Sequence, residues 1–221
     1  MTYLSAHADL TDIIIIGCLL TSFELCLVCS TVYHTFCCRS SKIYDCLLTF
    51  DLLGIGIALF CIFASGIYYA FYTQTETRNF YLTSVAVIFM IAMILQIPKL
   101  GVPNNVKMLS LLLWAVYGVV PSCHWFFKMG GFSNKMVEIF IPRIIGAYAI
   151  AGFAFLFYAS RIPERWFAGK VDFLGHSHNL WHILVLVALN YWHNTGIMLA
   201  VFMMDNGCID DREKCYLIQN I

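Results

Sequence analysis

Long apolar runs separated by short polar connectors dominate the chain. A helix that crosses a bilayer needs about 20 mostly apolar residues, and six runs reach that length. They lie at roughly 11–37, 49–72, 81–97, 108–127, 139–159 and 178–204. The connectors are polar or contain Pro and Gly, and they read RSSKIYD, TQTETRN, PKLGVPNN, KMGGFSNK and RIPERWFAGKVDFLGHS. The pattern predicts an all-α, polytopic transmembrane bundle of six helices.

None of the connectors is long enough to form a second domain. A membrane barrel would show short alternating strands instead of these runs. We therefore divide the 221 residues into a short N-terminal segment (1–10), a transmembrane helical domain (11–204) and a polar C-terminal tail (205–221).

Composition agrees with a membrane protein. Hydrophobic residues make up 61% of the chain, and charged residues make up only 12%, about half the usual fraction of a soluble protein. This excludes a soluble enzyme, a nucleic-acid-binding protein and a disordered chain. The formal net charge is zero, so no overall field attracts a polyanionic partner.

Most of the ten cysteines lie in or beside apolar runs, where cysteine behaves as a small hydrophobic residue. Cys208 and Cys215 lie in the polar tail instead, and they are the plausible disulfide partners. The sequence leaves open whether they pair.

Basic residues around the first run indicate its orientation. No Lys or Arg precedes Arg39, whereas Arg39 and Lys42 follow the run directly. The positive-inside rule then places the N-terminus in a lumen or outside the cell. Six crossings return the C-terminus to that side.

Four ionisable residues fall at one depth of the predicted bundle. His34 lies near the inner end of the first span, Asp51 near the inner start of the second, and His178 and His182 open the last span. Ionisable side chains inside a membrane are costly and often mark function. Their common depth in the inner leaflet predicts a shared site.

The spacing of His178 and His182 puts both imidazoles on one helix face, as in helical zinc sites. With His34 they supply three ligands and leave a fourth position open, which is typical of catalytic zinc. Asp51 could hold a water or an imidazole there, and Ser30 shares the face of His34. Interfacial histidines with no metal are the alternative, and Cys37 and Cys38 are alternative thiolate ligands.

Other polar residues have more than one interpretation. Glu24 faces a polar cavity or pairs with Arg143. His124 and His193 bond to each other or to interfacial water on the outer side. His176 is two residues before His178, so we expect it to point to another face as a solvated loop residue.

Several motifs together resemble the progestin and adipoQ receptor family, which includes the adiponectin receptors. They are Ser30-x3-His34 in STVYHTFCCRS, Asp51 in FDLLGIGI, and RIPERWFAGK followed by HSHNLWH. The motifs occur in the family's order and separation, from the first span to about residue 205. The segments YGVVPSCHW and FLFYASRIPERWF resemble the Golgi member that tethers Raf kinase.

The resemblance implies a zinc ion near the inner leaflet, with His34, His178 and His182 as ligands. It also implies that Asp51 and Ser30 are catalytic residues beside the water on the metal. The family fold has seven helices, and the first run here carries the motif of the family's second helix. We therefore expect the chain to lack the family's N-terminal region and first helix.

Two functions follow from the resemblance. One is receptor-like signalling with ceramidase-like hydrolysis of a lipid amide, in which ceramide enters from the bilayer. The alternative is a non-enzymatic Golgi membrane scaffold with structural zinc, whose cytosolic loops tether a signalling kinase such as Raf. Neither involves nucleic acid, and Golgi membrane is the favoured location over plasma membrane.

Overall fold

The computed structural model describes residues 10–171 and 173–206, which form seven α-helices. The helices are α1 (Leu10–Phe36), α2 (Ser41–Ala70), α3 (Thr75–Leu95), α4 (Asn104–Tyr117), α5 (Val119–Lys128), α6 (Lys135–Ser160) and α7 (Ser177–Asp205). Short 3-10 turns lie in three of the connections, and no strand occurs within the described ranges. The predicted N-terminal segment up to residue 9 and the Cys208–Cys215 pair lie outside them.

Six stretches are long and apolar enough to cross a membrane, because α4 and α5 together make one crossing. The predicted all-α, six-span bundle is therefore confirmed. We call the end of the bundle where α1 ends and α7 begins the histidine end, since His34 and His178 lie there. The other end is the opposite end.

The predicted extents of two connectors were wrong. Residues 41–45 of RSSKIYD belong to α2, and residues 75–79 of TQTETRN belong to α3. Ser40 caps α2, since its Oγ accepts a hydrogen bond from the Ile43 N–H at 3.2 Å. The Ser40 cap satisfies a backbone N–H in the polar first turn of α2, whereas α3 begins at Thr75 without a side-chain cap; both helices extend past their hydrophobic runs.

Helices α1, α2 and α7 pack against one another in the middle of the bundle. Leu19, Phe23 and Cys26 of α1 form a buried cluster with Ala58 of α2 and Leu189 of α7. The cluster fixes the spacing of the three helices that carry the predicted site.

Gly54 allows α1 and α2 to approach closely beside this cluster. A Cβ added to Gly54 would lie 3.0 Å from the Cα of Cys26 and 3.3 Å from the Cβ of Cys29. Any larger residue would push the two backbones apart. The close approach brings the preceding turn of α2, which carries Asp51, alongside the α1 turn of Ser30.

The outer surface of the bundle is apolar. Large hydrophobic side chains such as Val87, Leu113 and Phe153 are exposed, as expected where lipid tails replace water. Glu24 is also exposed on α1, and within the described ranges no ion pair joins it to Arg143. Of the two alternatives for Glu24, the pairing with Arg143 is therefore wrong.

A buried hydrogen bond joins α1 to α2 at the opposite end of the bundle. The Tyr69 hydroxyl donates to Asp12 Oδ1 at 2.7 Å. Asp12 is 4% exposed and Tyr69 is 2% exposed, so water cannot replace the bond. It links the first turn of α1 to the last turn of α2.

We expect Tyr69→Phe to lower the free energy of unfolding by about 1–3 kcal/mol, because a buried acceptor loses its donor. Unfolding in mixed detergent micelles measures the change. Tyr72→Phe is the matched control, since the Tyr72 hydroxyl makes no hydrogen bond to the described residues. Equal stability of the two variants would contradict a stabilising role for the Asp12 contact.

Candidate metal centre

Three histidines converge at the histidine end of the bundle. His34 is in the last turn of α1, and His178 and His182 are in the first two turns of α7. The i, i+4 spacing places the two α7 imidazoles on one face of that helix. The packing of α1 against α7 then brings His34 opposite both of them.

The three Nε2 atoms form a nearly equilateral triangle. The separation is 3.2 Å between His34 and His178, 3.2 Å between His34 and His182, and 3.1 Å between His178 and His182. The rings meet edge to face, with centroids 4.6–5.1 Å apart. The atoms are therefore close enough to share one ion, as the sequence predicted.

Hydrogen bonds alone cannot satisfy this triangle. In a neutral imidazole, each Nε2 is either an N–H donor or a lone-pair acceptor. Among three mutually adjacent nitrogens, at least two must be of the same kind, and that pair repels. A cation at the centre accepts all three lone pairs and removes the conflict.

The spacing also matches a zinc ion. Zn–N bonds of 2.0–2.1 Å in a tetrahedron separate two ligand nitrogens by about 3.3 Å. The observed separations of 3.1–3.2 Å agree with that edge. The three residues thus fit the group that the sequence predicted.

Asp51 and Ser30 lie beside the histidines on α2 and α1. The Asp51 carboxylate lies close enough to Ser30 and His34 to interact with them electrostatically. Both residues are 8% exposed. A buried carboxylate next to the triangle can accept a proton or orient a water. Their catalytic role stays a prediction.

The triangle is accessible from outside the bundle. His34 is exposed, and His178 and His182 are half-buried. Three ligands with an open side correspond to the type of zinc site that also binds a water or a substrate.

Neighbouring aromatic rings support the α7 histidines. The Tyr158 ring of α6 packs against His178 with centroids 5.9 Å apart. His176 is half-buried, and its ring stacks on that of His178 at 6.4 Å. His176 thus lies in the loop before α7 and is half-exposed, but our expectation that it points away from His178 was wrong. Sequence reasoning missed Tyr158, although it lies in the segment FLFYASRIPERWF.

The alternative ligands do not join the triangle. The clustered ligand atoms of the described residues are those of the three histidines, without Cys37 or Cys38. Towards the opposite end of the bundle, His124 Nδ1 forms a hydrogen bond with the Tyr81 hydroxyl at 2.8 Å. His193 Nδ1 is buried and has no hydrogen-bond partner in the described part of the chain. The suggested pairing of His124 with His193 was therefore wrong.

Comparison with known proteins identifies the family. The profile of the haemolysin-III-related family matches residues 1–193. Progestin and adipoQ receptor family member 3 from Homo sapiens is 37% identical over 210 residues, which are 93% of this chain and 68% of that protein.

The chain belongs to the haemolysin-III-related family, among the progestin and adipoQ receptors.

More distant family members share the same region. The adiponectin receptor protein of Drosophila melanogaster is 28% identical over 92% of this chain and 47% of its own length. Heptahelical transmembrane protein 3 of Arabidopsis thaliana is 30% identical over 73% of this chain and 47% of its own length. The progestin and adipoQ receptor fold thus extends over most of the chain.

We expect His178→Ala to weaken zinc affinity by more than about 100-fold, because loss of a ligand exceeds the effect of losing a supporting contact. Chelator competition with the purified protein measures the affinity. His193→Ala on the same helix is the control and retains parental affinity. Equal loss in both variants would attribute the effect to α7 stability rather than to coordination.

Proposed function

We propose that this receptor-like membrane protein binds Zn²⁺ through His34, His178 and His182 and hydrolyses the amide bond of ceramide-like lipids. The proposal depends on the triangle of Nε2 atoms at 3.1–3.2 Å. We further propose that the histidine end faces the cytosol. The basic residues Arg39 and Lys42 at that end support this orientation.

Zinc held in this way polarises a carbonyl and lowers the pKa of water to about 7. The histidines hold their Nε2 lone pairs towards one point, and the exposed side of His34 leaves room for a lipid amide. The reacting carbonyl would lie just below the headgroups, where the amide of a sphingolipid also lies.

Asp51 is the proposed general base. Its carboxylate accepts a proton from the attacking water as the water oxygen bonds to the carbonyl carbon. The C–N bond then breaks, and Asp51 returns the proton to the departing amine. The products are a fatty acid and a free amine. In this proposal, Ser30 on α1 orients the carboxylate, with which it interacts electrostatically.

An apolar cavity lies deeper in the bundle, and none of the five proposed site residues lines it. A space of about 190 Å³ lies between α2, α5, α6 and α7. Its lining is almost entirely apolar and includes Phe63, Ala151 and Leu189, with Ser122 and Tyr148 among the few polar members. Such a lining suits an acyl chain rather than a polar metabolite.

We expect Asp51→Asn to retain zinc but to lose about 10²–10⁴-fold in ceramide turnover, the usual contribution of a general base. Metal analysis and release of fatty acid from labelled ceramide are measured on the same preparation. Asp45→Asn is the control, since Asp45 is an exposed carboxylate on the same helix. A parent protein with full zinc and no turnover would contradict the hydrolase proposal.

The second candidate function is a non-enzymatic Golgi scaffold that tethers a signalling kinase such as Raf, with zinc as a structural ion. The α6–α7 loop favours it, because Trp166, Phe173 and Leu174 are highly exposed there, with Phe173 at 93%. Arg165 and Lys170 lie in the same loop. Exposed apolar residues rimmed by charge are typical of interaction sites.

For the scaffold, we expect the tagged protein to stain the Golgi and to capture the kinase, and Phe173→Ser with Leu174→Ser to abolish capture. The substitutions remove apolar contact area without touching the histidines, so zinc content stays at the parental level. Plasma-membrane staining, or unchanged capture by the double variant, would contradict the tether.

A further inference from the structure

The first turn of α7 carries His178, and a first turn is the weakest part of a helix. Its backbone N–H groups have no partners within the helix, and a side chain at the cap usually accepts a hydrogen bond from one of them. Here the cap residue His176 makes no such bond. His178 is the second residue of the helix, so fraying would displace its imidazole.

Glu164 supplies the missing acceptor from the preceding loop. Its Oε2 accepts a hydrogen bond from the Ser177 N–H at 2.7 Å. Its Oε1 accepts a second hydrogen bond from the Ser177 hydroxyl. Ser177 is 4% exposed and Glu164 is half-buried, so the two bonds are partly buried. One carboxylate therefore accepts from both the backbone N–H and the hydroxyl of the residue directly before His178.

The loop that carries Glu164 is held by its own backbone. The Arg165 N–H donates to the Arg161 carbonyl at 2.9 Å, and the Trp166 N–H donates to the Pro163 carbonyl at 2.9 Å. Arg161 has a φ of 54° and ends α6 in a left-handed conformation. These contacts anchor Glu164 to the end of α6.

Charge strengthens the contact. Desolvation raises the pKa of Glu164, but the hydrogen bonds from the Ser177 side chain and backbone outweigh it and keep that pKa below its usual value. The group is thus a carboxylate at neutral pH. A negative charge at a helix N-terminus is stabilising.

We propose that Glu164 is a positioning residue, which fixes the first turn of α7 through Ser177 and so holds His178 at the spacing that the metal requires. The inference rests on the proposed zinc site. Glu164 does not belong to the triangle itself. Glu164 acts from the loop that follows α6, whereas the Tyr158 ring of α6 packs directly against the His178 ring.

The test compares Co²⁺ and Zn²⁺ affinity of the purified full chain with that of Glu164→Ala and Glu164→Gln. Chelator competition gives the affinity, and the visible Co²⁺ spectrum reports the ligand geometry. We expect Glu164→Ala to bind about 10–100-fold more weakly, as losses of supporting contacts do, with an altered Co²⁺ spectrum. Glu164→Gln retains one acceptor and falls between Glu164→Ala and the parent.

Glu138→Ala is the matched control, because Glu138 is an exposed carboxylate in the first turn of α6. It should retain parental affinity and spectrum. Parental affinity and spectrum in Glu164→Ala would overturn the positioning role and leave the zinc site intact. A parent that binds neither metal would overturn both, so the two failures are distinguishable.

If Glu164→Ala fails to fold, Ser177→Ala decides the question. It removes the hydroxyl bond and keeps the backbone bond to the same carboxylate. We expect a smaller loss of affinity, of a few-fold, together with a shifted Co²⁺ spectrum. An unchanged affinity and spectrum in Ser177→Ala would overturn the proposal.

Discussion

Three imidazole nitrogens face one another at 3.1–3.2 Å, and the rest of the bundle must hold them at that spacing. Their mutual contacts are not all favourable without a cation, so the triangle cannot be what holds α1 against α7. The packing of Phe23 and Leu189, two to three turns deeper, supplies that contact. Apolar packing thus offsets the repulsion between imidazole nitrogens that have no cation between them.

Polar contacts at the two ends of the bundle complement this packing. Lipid tails are as apolar as leucine, so helices in a bilayer gain little from apolar burial alone. Directional bonds then specify how helices align along their axes. Tyr69 and Asp12 align α1 with α2 at one end, and Glu164 and Ser177 align the α6 loop with α7 at the other. The Tyr69–Asp12 bond is buried, and the Glu164–Ser177 bond is half-buried.

The sequence predicts the number of spans because hydrocarbon thickness fixes their length. It does not predict where α2 and α3 begin, because helical hydrogen bonds continue into polar turns. The depth of a residue in the membrane also follows from its position within a span, and it predicts that His34, His178 and His182 lie at one level. The neighbouring helix that a side chain faces depends on how the helices pack, and residue spacing within one helix does not encode that packing. His124 and His193 show this, since similar depth did not make them partners and His124 bonds to Tyr81 instead.

In the proposed site, the metal ligands and the general base lie on different helices. The three proposed ligands come from α1 and α7, whereas Asp51 comes from α2. The close approach of the helices at Gly54, where an added Cβ would lie 3.0 Å from the Cα of Cys26, brings the turn of α2 that carries Asp51 alongside α1. A small shift of α2 would move the carboxylate and leave the nitrogens in place. Under the proposed function, such a shift would spare metal binding and remove hydrolysis, so one set of ligands is compatible with both the proposed enzyme and the proposed scaffold.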